Sequence, residues 1–237
     1  MNGARLRRGG EGVERNLSTE KLGAWLWVAC LQYFVAEVIV ISRWPGVYSL
    51  RQNYISDLAA ENCGTLVGSV AGAAHYVCSP WHAVMNGSFT LQGVLIVAGA
   101  LLVRKRFSAS RWQALALFLV GASGFGVLVV AFAPEDVLPT PHYIGAAENF
   151  VCCNVGMALM GVAMLLAARP AWVVGLLSLA FGLIGIAGIA LLGAGIDFGL
   201  GVGTIERVVA YPFPLWLAGM GMRLLATPEP AVEERAL

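Results

Sequence analysis

Six apolar stretches, each long enough to cross a bilayer, fill most of the 237 residues, and the acids in and between them gather at one end. A helix needs roughly 20 apolar residues to span the hydrocarbon. The stretches run over about 22–42, 82–103, 112–133, 142–168, 172–195 and 204–225. They are continuously apolar, whereas the strands of a membrane barrel would be about 10 residues long and would alternate in polarity. Only 12% of the chain is charged, against about 25% in soluble domains. The expected fold is all-α, a six-transmembrane-helix bundle over 22–225, and it forms one domain because no soluble segment is long enough to bury a core of its own.

The linkers orient this bundle. Arg5, Arg7, Arg8, Arg15 and Lys21 precede the first stretch; Arg104, Lys105, Arg106 and Arg111 follow the second; Arg169 follows the fourth, and Arg223 and Arg235 end the chain. An even number of spans puts all of these on one side, which the positive-inside rule makes cytoplasmic. The other side carries Glu37, Asp57, Glu61, Glu135, Asp136, Glu148, Asp197 and Glu206 against Arg43, Arg51 and Arg207. Residues 1–21 are polar and Arg-rich and read as a disordered cytoplasmic tail, with a second one at 226–237. The first stretch is too long for a cleaved signal peptide, and no small-residue cleavage site follows it.

The one long connection, residues 43–81, lies on the outer side, and a loop of this length is usually functional or structured. Its segment from Gly64 to Tyr76 is small and apolar, as in a short helix lying at the interface. Cys63 and Cys78 bracket that segment, and an oxidising compartment would allow a disulfide between them. Cys30, Cys152 and Cys153 fall inside spans and read as small packing residues.

Four motifs carry a resemblance. Tyr54-Ile55-Ser56-Asp57-Leu58 follows an aromatic loop with Pro45-Gly46, and Asn86-Gly87-Ser88-Phe89 with Gly93 opens the second span. Pro139 and His142 start the fourth, and Gly203-Thr204-Ile205-Glu206-Arg207 with Trp216 starts the sixth. Over about 22–225 the chain resembles a bacterial family of six-span membrane proteins catalogued as domain of unknown function 998, with Ala59 where the family usually has Gly. More distantly, Tyr-Ile-Ser-Asp is similar to a motif of the eukaryotic Frag1/DRAM/Sfk1 group, whose members are linked to membrane lipid organisation. The resemblance implies a multi-pass protein of a bacterial inner (plasma) membrane with a lipid connection; it implies no catalytic residue.

Charges near the membrane interior are costly unless paired or hydrated, so each is a functional candidate. Asn53, Ser56, Asp57, Asn86, Glu148, Glu206 and Arg207 are the expected ligand-binding set, with Glu37 at similar depth. Arg207 is the natural organiser: a bidentate pair with Asp57 or Glu148 would satisfy both partners. It serves either as a clamp holding the outer loop or as a headgroup ligand for which a lipid phosphate competes. Asp57, Glu148 and His142 are the candidates for an acid or base. His75, His82 and His142 with Asp57 or Asp136 are the weak candidates for a zinc site, but the two-histidine helix motif is absent and no metal is expected. Ser56 beside Asp57 is not a triad and lacks a nucleophile elbow; it also suits the cap of a short helix starting near Asp57. The Gly-rich run of Gly175 to Gly201 serves close helix packing, not phosphate binding.

These observations favour an outward-facing polar pocket that interacts with lipid or a protein partner. An intramembrane lipid-modifying enzyme is the alternative, and a small-solute transporter the third, disfavoured by cytoplasmic span halves almost without ionisable residues. No cofactor and no nucleic acid are expected. The expected partners are a membrane lipid and either a protein partner or a second copy of the chain.

Overall fold

The computed structural model describes residues 19–66, 74–108, 110–167 and 171–227. Among these residues, six helices are long and apolar enough to cross a membrane: α1 Thr19–Ile41, α2 His82–Phe107, α3 Arg111–Phe132, α4 Pro139–Leu165, α5 Trp172–Ala194 and α6 Val202–Ala226. Their ends fall within about a turn of the apolar boundaries in the sequence. The two expected tails, beyond 19–21 and 226–227, lie outside the described residues.

Glycine sets the seams between successive helices. A Cβ on Gly93 would stand 2.7 Å from the Gly124 carbonyl, one on Gly145 2.9 Å from that of Gly126, and one on Gly161 2.7 Å from that of Gly175. The backbones of α2 and α3, of α3 and α4, and of α4 and α5 therefore meet directly, as small residues allow in membranes. α1 closes the ring on α6, where Trp27 packs on Trp216 with ring centroids 6.2 Å apart. Ile96, Val120, Met157, Met160 and Leu217 fill the interior. Phe118, Phe125, Phe132 and Leu166 point outward, as a hydrocarbon-facing surface requires.

Two helices are interrupted. In α1 the bonding tightens at Cys30 and Leu31, whose amides reach Trp27 and Val28. Just beyond, the Gln32 side-chain amide donates to the Ser88 carbonyl and to Gln92 on α2 and accepts from the Ser88 hydroxyl. α6 is divided at Tyr211, where Pro212 and Pro214 supply no N–H to the preceding turn.

The connection from α1 to α2 covers one end of the bundle, called here the loop end. It is seated on the start of α6: the Gly203 amide donates to the Arg51 carbonyl at 2.9 Å, and the Arg51 guanidinium donates to Gly199 and Leu200 carbonyls. Position 203 must be glycine for this contact, since a Cβ there would lie 2.2 Å from the Asn53 carbonyl. A buried 3-10 turn follows at Ser56–Ala59. The interface helix expected over 64–76 is not what forms. Gly64–Leu66 (β1) pairs antiparallel with His75–Val77 (β2), Leu66 opposite His75, and 67–73 lie outside the described residues. The reason is geometric. Cys63 and Cys78 are disulfide-bonded with Cα atoms 4.1 Å apart, whereas a helix between them would separate them by about 22 Å. A hairpin returns the chain on itself; a helix cannot.

Thiol titration checks this arrangement. Denatured without reductant, the protein should show three thiols, those of Cys30, Cys152 and Cys153, and after reduction all five cysteines. Five thiols before reduction would contradict the bridge.

Candidate functional site

Arg207, on the first half of α6, is 7% exposed, and its side chain ends under the loop. Its Nη1 donates to the carbonyls of Asn53 (2.8 Å), Gly203 (3.0 Å) and Leu50 (3.1 Å). Its Nη2 donates to the Tyr48 hydroxyl at 2.6 Å and to Glu37 of α1 at 3.3 Å. Its Nε donates to the Tyr211 hydroxyl at 3.0 Å. A guanidinium has five N–H donors, and every one is committed here. Tyr211, one turn further along α6, donates to Glu37 from between its two oxygens, at 2.7 and 2.8 Å. The Tyr48 hydroxyl in turn donates a hydrogen bond to the Tyr54 carbonyl at 2.7 Å. The expected pairing of Arg207 with Asp57 or Glu148 is thus corrected: its carboxylate is Glu37, and its other partners are loop carbonyls and two tyrosines. Those carbonyls face inward from a loop without regular structure and need donors; Arg207 supplies them.

Beside this clamp lies a second cluster, built from acids. Asp57 is fully buried in the 3-10 turn. Its Oδ2 accepts from the Asn53 side chain (2.9 Å) and the Tyr54 amide (3.0 Å), and its Oδ1 meets His75 Nε2 at 2.9 Å. The hairpin and its disulfide bring His75 to that position. Ser56 does not cap the turn; its hydroxyl donates to Glu135 Oε2 at 2.7 Å. Glu206 accepts from the Ile55 amide. Glu135 lies between α3 and α4, and its Oε1 is buried without a donor. Burial, with the neighbouring Asp57 carboxylate, holds Glu135 well above the usual carboxylate range, and the Ser56 bond offsets this only in part.

A cavity of about 250 Å³ opens below the cluster. Tyr54, Ser56, His75, Glu135, His142, Tyr143 and Glu206 form its head, and Ala146, Ala147, Phe150 and Val151 of α4 face Ile189 and Leu192 of α5 below. A smaller cavity of about 90 Å³ toward the bundle interior shares Ser56, His142, Ala146, Phe150 and Glu206. His142 Nδ1 lies 2.8 Å from the Ala133 carbonyl. A carbonyl only accepts, so Nδ1 carries the proton, and neutral His142 keeps its Nε2 lone pair.

The expected residues therefore divide. Asn53, Ser56, Asp57 and Glu206 come together around the head of the cavity, while Arg207 forms the clamp alongside. Asn86 stands apart, its amide holding the Ala59 carbonyl at 3.0 Å. Glu148 sits on the seam of α3 and α4 against Gly126, away from Arg207. The three histidines do not converge: His75 faces Asp57, His82 the Ser79 carbonyl and His142 that of Ala133. Among the described residues no three His, Cys, Asp or Glu side chains form a group fit to hold a metal ion. Sequence reasoning missed Glu135, Tyr48 and Tyr211. The spacing of Arg207 and Tyr211, four residues apart on one helix face, was the available signal for the last.

The family described as "Protein of unknown function (DUF998)" matches residues 27–223, and the chain belongs to it. No curated protein and no solved structure matches the chain significantly.

Two outcomes follow for stability in detergent. Arg207→Ala should cost about 3–5 kcal/mol, as when one partner of a buried ion pair is removed, and Arg207→Lys should not restore it, having three donors for the same acceptors. Melting temperatures equal to wild type would contradict the clamp. For Glu135 the folded protein binds the proton more tightly than the unfolded chain. Its contribution is therefore fully present below the unfolded value of about 4.3 and is lost as pH rises through the raised folded value. Glu135→Gln should lack this loss, so its stability relative to wild type should increase from pH 5 to pH 8; a constant difference would contradict it.

Proposed function

We propose that this chain is a multi-pass protein of the bacterial inner (plasma) membrane, with both termini cytoplasmic, that holds a membrane lipid or similar amphiphile at an outward-facing site. The observation that carries this reading is the shape and chemistry of the cavity: a polar head under the loop and an apolar wall along α4 and α5. Ligand sites combine apolar lining with a few placed polar groups in this way. Ala147 and Val151 line the cavity and are also exposed, which leaves it open sideways to the hydrocarbon. The orientation rests on the basic residues at the opposite end. Arg207 is structural in this reading, because its donors are spent.

Native mass spectrometry of protein gently extracted from its membrane tests the proposal. The wild type should retain an amphiphile, and Ala147→Trp, which fills the apolar wall, should lower that occupancy at least tenfold while melting as wild type does. A ligand-free wild type, or equal retention in the variant, would count against the site.

An enzyme acting on that amphiphile is the second reading, favoured by one observation: the tautomer of His142 leaves an acceptor nitrogen on a residue lining both cavities. Ester and amide amphiphiles incubated with the protein should then release a fatty acid, and His142→Gln should abolish release. No turnover of any member would remove this reading without touching the first.

A further inference from the structure

We propose that the headgroup taken by this cavity is a cation, the ammonium of an amphiphilic amine, and that it enters in exchange for a proton held on Glu135. This rests on the amphiphile reading and supplies its headgroup chemistry.

The geometry of Glu135 comes first. Its carboxyl group is nine-tenths buried and lines the cavity. Ser56 satisfies one oxygen, while the other has no donor. Asp57, its neighbour, is already bonded on both oxygens. A buried acceptor facing a second carboxylate needs one positive charge, and a proton or an incoming cation can supply it. Without ligand, Glu135 carries the proton. With ligand, the ammonium N–H groups take its place, Glu135 is ionised, and its proton leaves to solvent.

The rest of the head selects the sign of the ligand. Among the described residues no Lys or Arg lines the cavity, and the nearby guanidinium of Arg207 has no donor to offer a phosphate. The rings of Tyr54, Tyr143 and Phe150 border the same space, and aromatic faces attract ammonium groups. The titratable groups around Glu135 are Tyr54 and Asp57 from the loop, His75 from β2, His142 and Tyr143 from α4, and Glu206 from α6. Asp136, its chain neighbour, is turned instead to the Glu61 and Asn62 amides. Acids predominate in this set, so a cation lowers the energy of the head where an anion raises it. Because burial and Asp57 hold Glu135 above its ordinary range, affinity for a cation should rise with pH until Glu135 is ionised in the free protein.

Calorimetric titration of the full chain in lipid nanodiscs, corrected by empty discs, tests this with dodecylamine, dodecyl phosphate and dodecanol. Dodecylamine stays protonated from pH 5 to 8, so any pH dependence belongs to the protein. It should bind at least tenfold tighter than the other two. Its affinity should rise toward tenfold per pH unit, and titration in two buffers of different ionisation heat should show about one proton released. Glu135→Gln should bind the amine more weakly and without pH dependence. Tyr143→Leu, independent of that carboxyl group, should weaken the amine and leave dodecanol unchanged. Phosphate binding as tight as amine binding, or amine binding without proton release, would overturn the inference and leave the amphiphile site standing. Binding of none of the three would instead remove the amphiphile site itself.

Discussion

The buried guanidinium of Arg207 is the interaction on which the loop end depends. It joins α1 through Glu37, α6 through Tyr211 and the Gly203 carbonyl, and the loop through Leu50, Asn53 and Tyr48. Removing a charged group from water is expensive, and partial pairing does not repay it. Here all five donors find acceptors, so the cost is met and the geometry is fixed. Asn53 and Tyr54 are part of that geometry, and through them the clamp sets the position of Asp57.

This arrangement separates two roles that one charged group could have filled alone. The buried cation, Arg207, is consumed in architecture. The acids are not: Glu135 has an unfilled oxygen, and Glu206 reaches the head of both cavities. The result is an acidic head above an apolar wall, held by a loop that the disulfide, the hairpin and Arg207 fix from different sides. Among the described residues, the larger cavity has polar chemistry where the bundle meets the loop, and its walls along α4 and α5 are apolar.

Much of the architecture was legible in the sequence because hydrophobic length is a one-dimensional signal. The start of α2 at His82 and of α5 at Trp172 could be read directly. So could the gathering of acids at one end. The hairpin at 64–66 and 75–77 was not, because three-residue strands leave too little alternation to separate from a small apolar helix; the cysteine spacing held the contrary information. The partners of Arg207 are hidden from the sequence for a different reason. Glu37 lies 170 residues away in sequence, and periodicity says which face a residue occupies, not which distant face it meets. Glu135 was overlooked because it sits in a short turn between helices rather than in the long loop. Asn86 and Glu148 were placed at the right end of the bundle, yet depth along the membrane does not give position around the ring.

The most direct measurement is a high-resolution structure of the protein in a lipid bilayer at neutral pH. An elongated density should lie along α4 and α5, with its head within hydrogen-bonding distance of Glu135 or Glu206 and with Arg207 still bound to Glu37 and the loop carbonyls. A headgroup seated on Arg207, with the loop released from it, would contradict the account. So would a cavity closed by its own side chains.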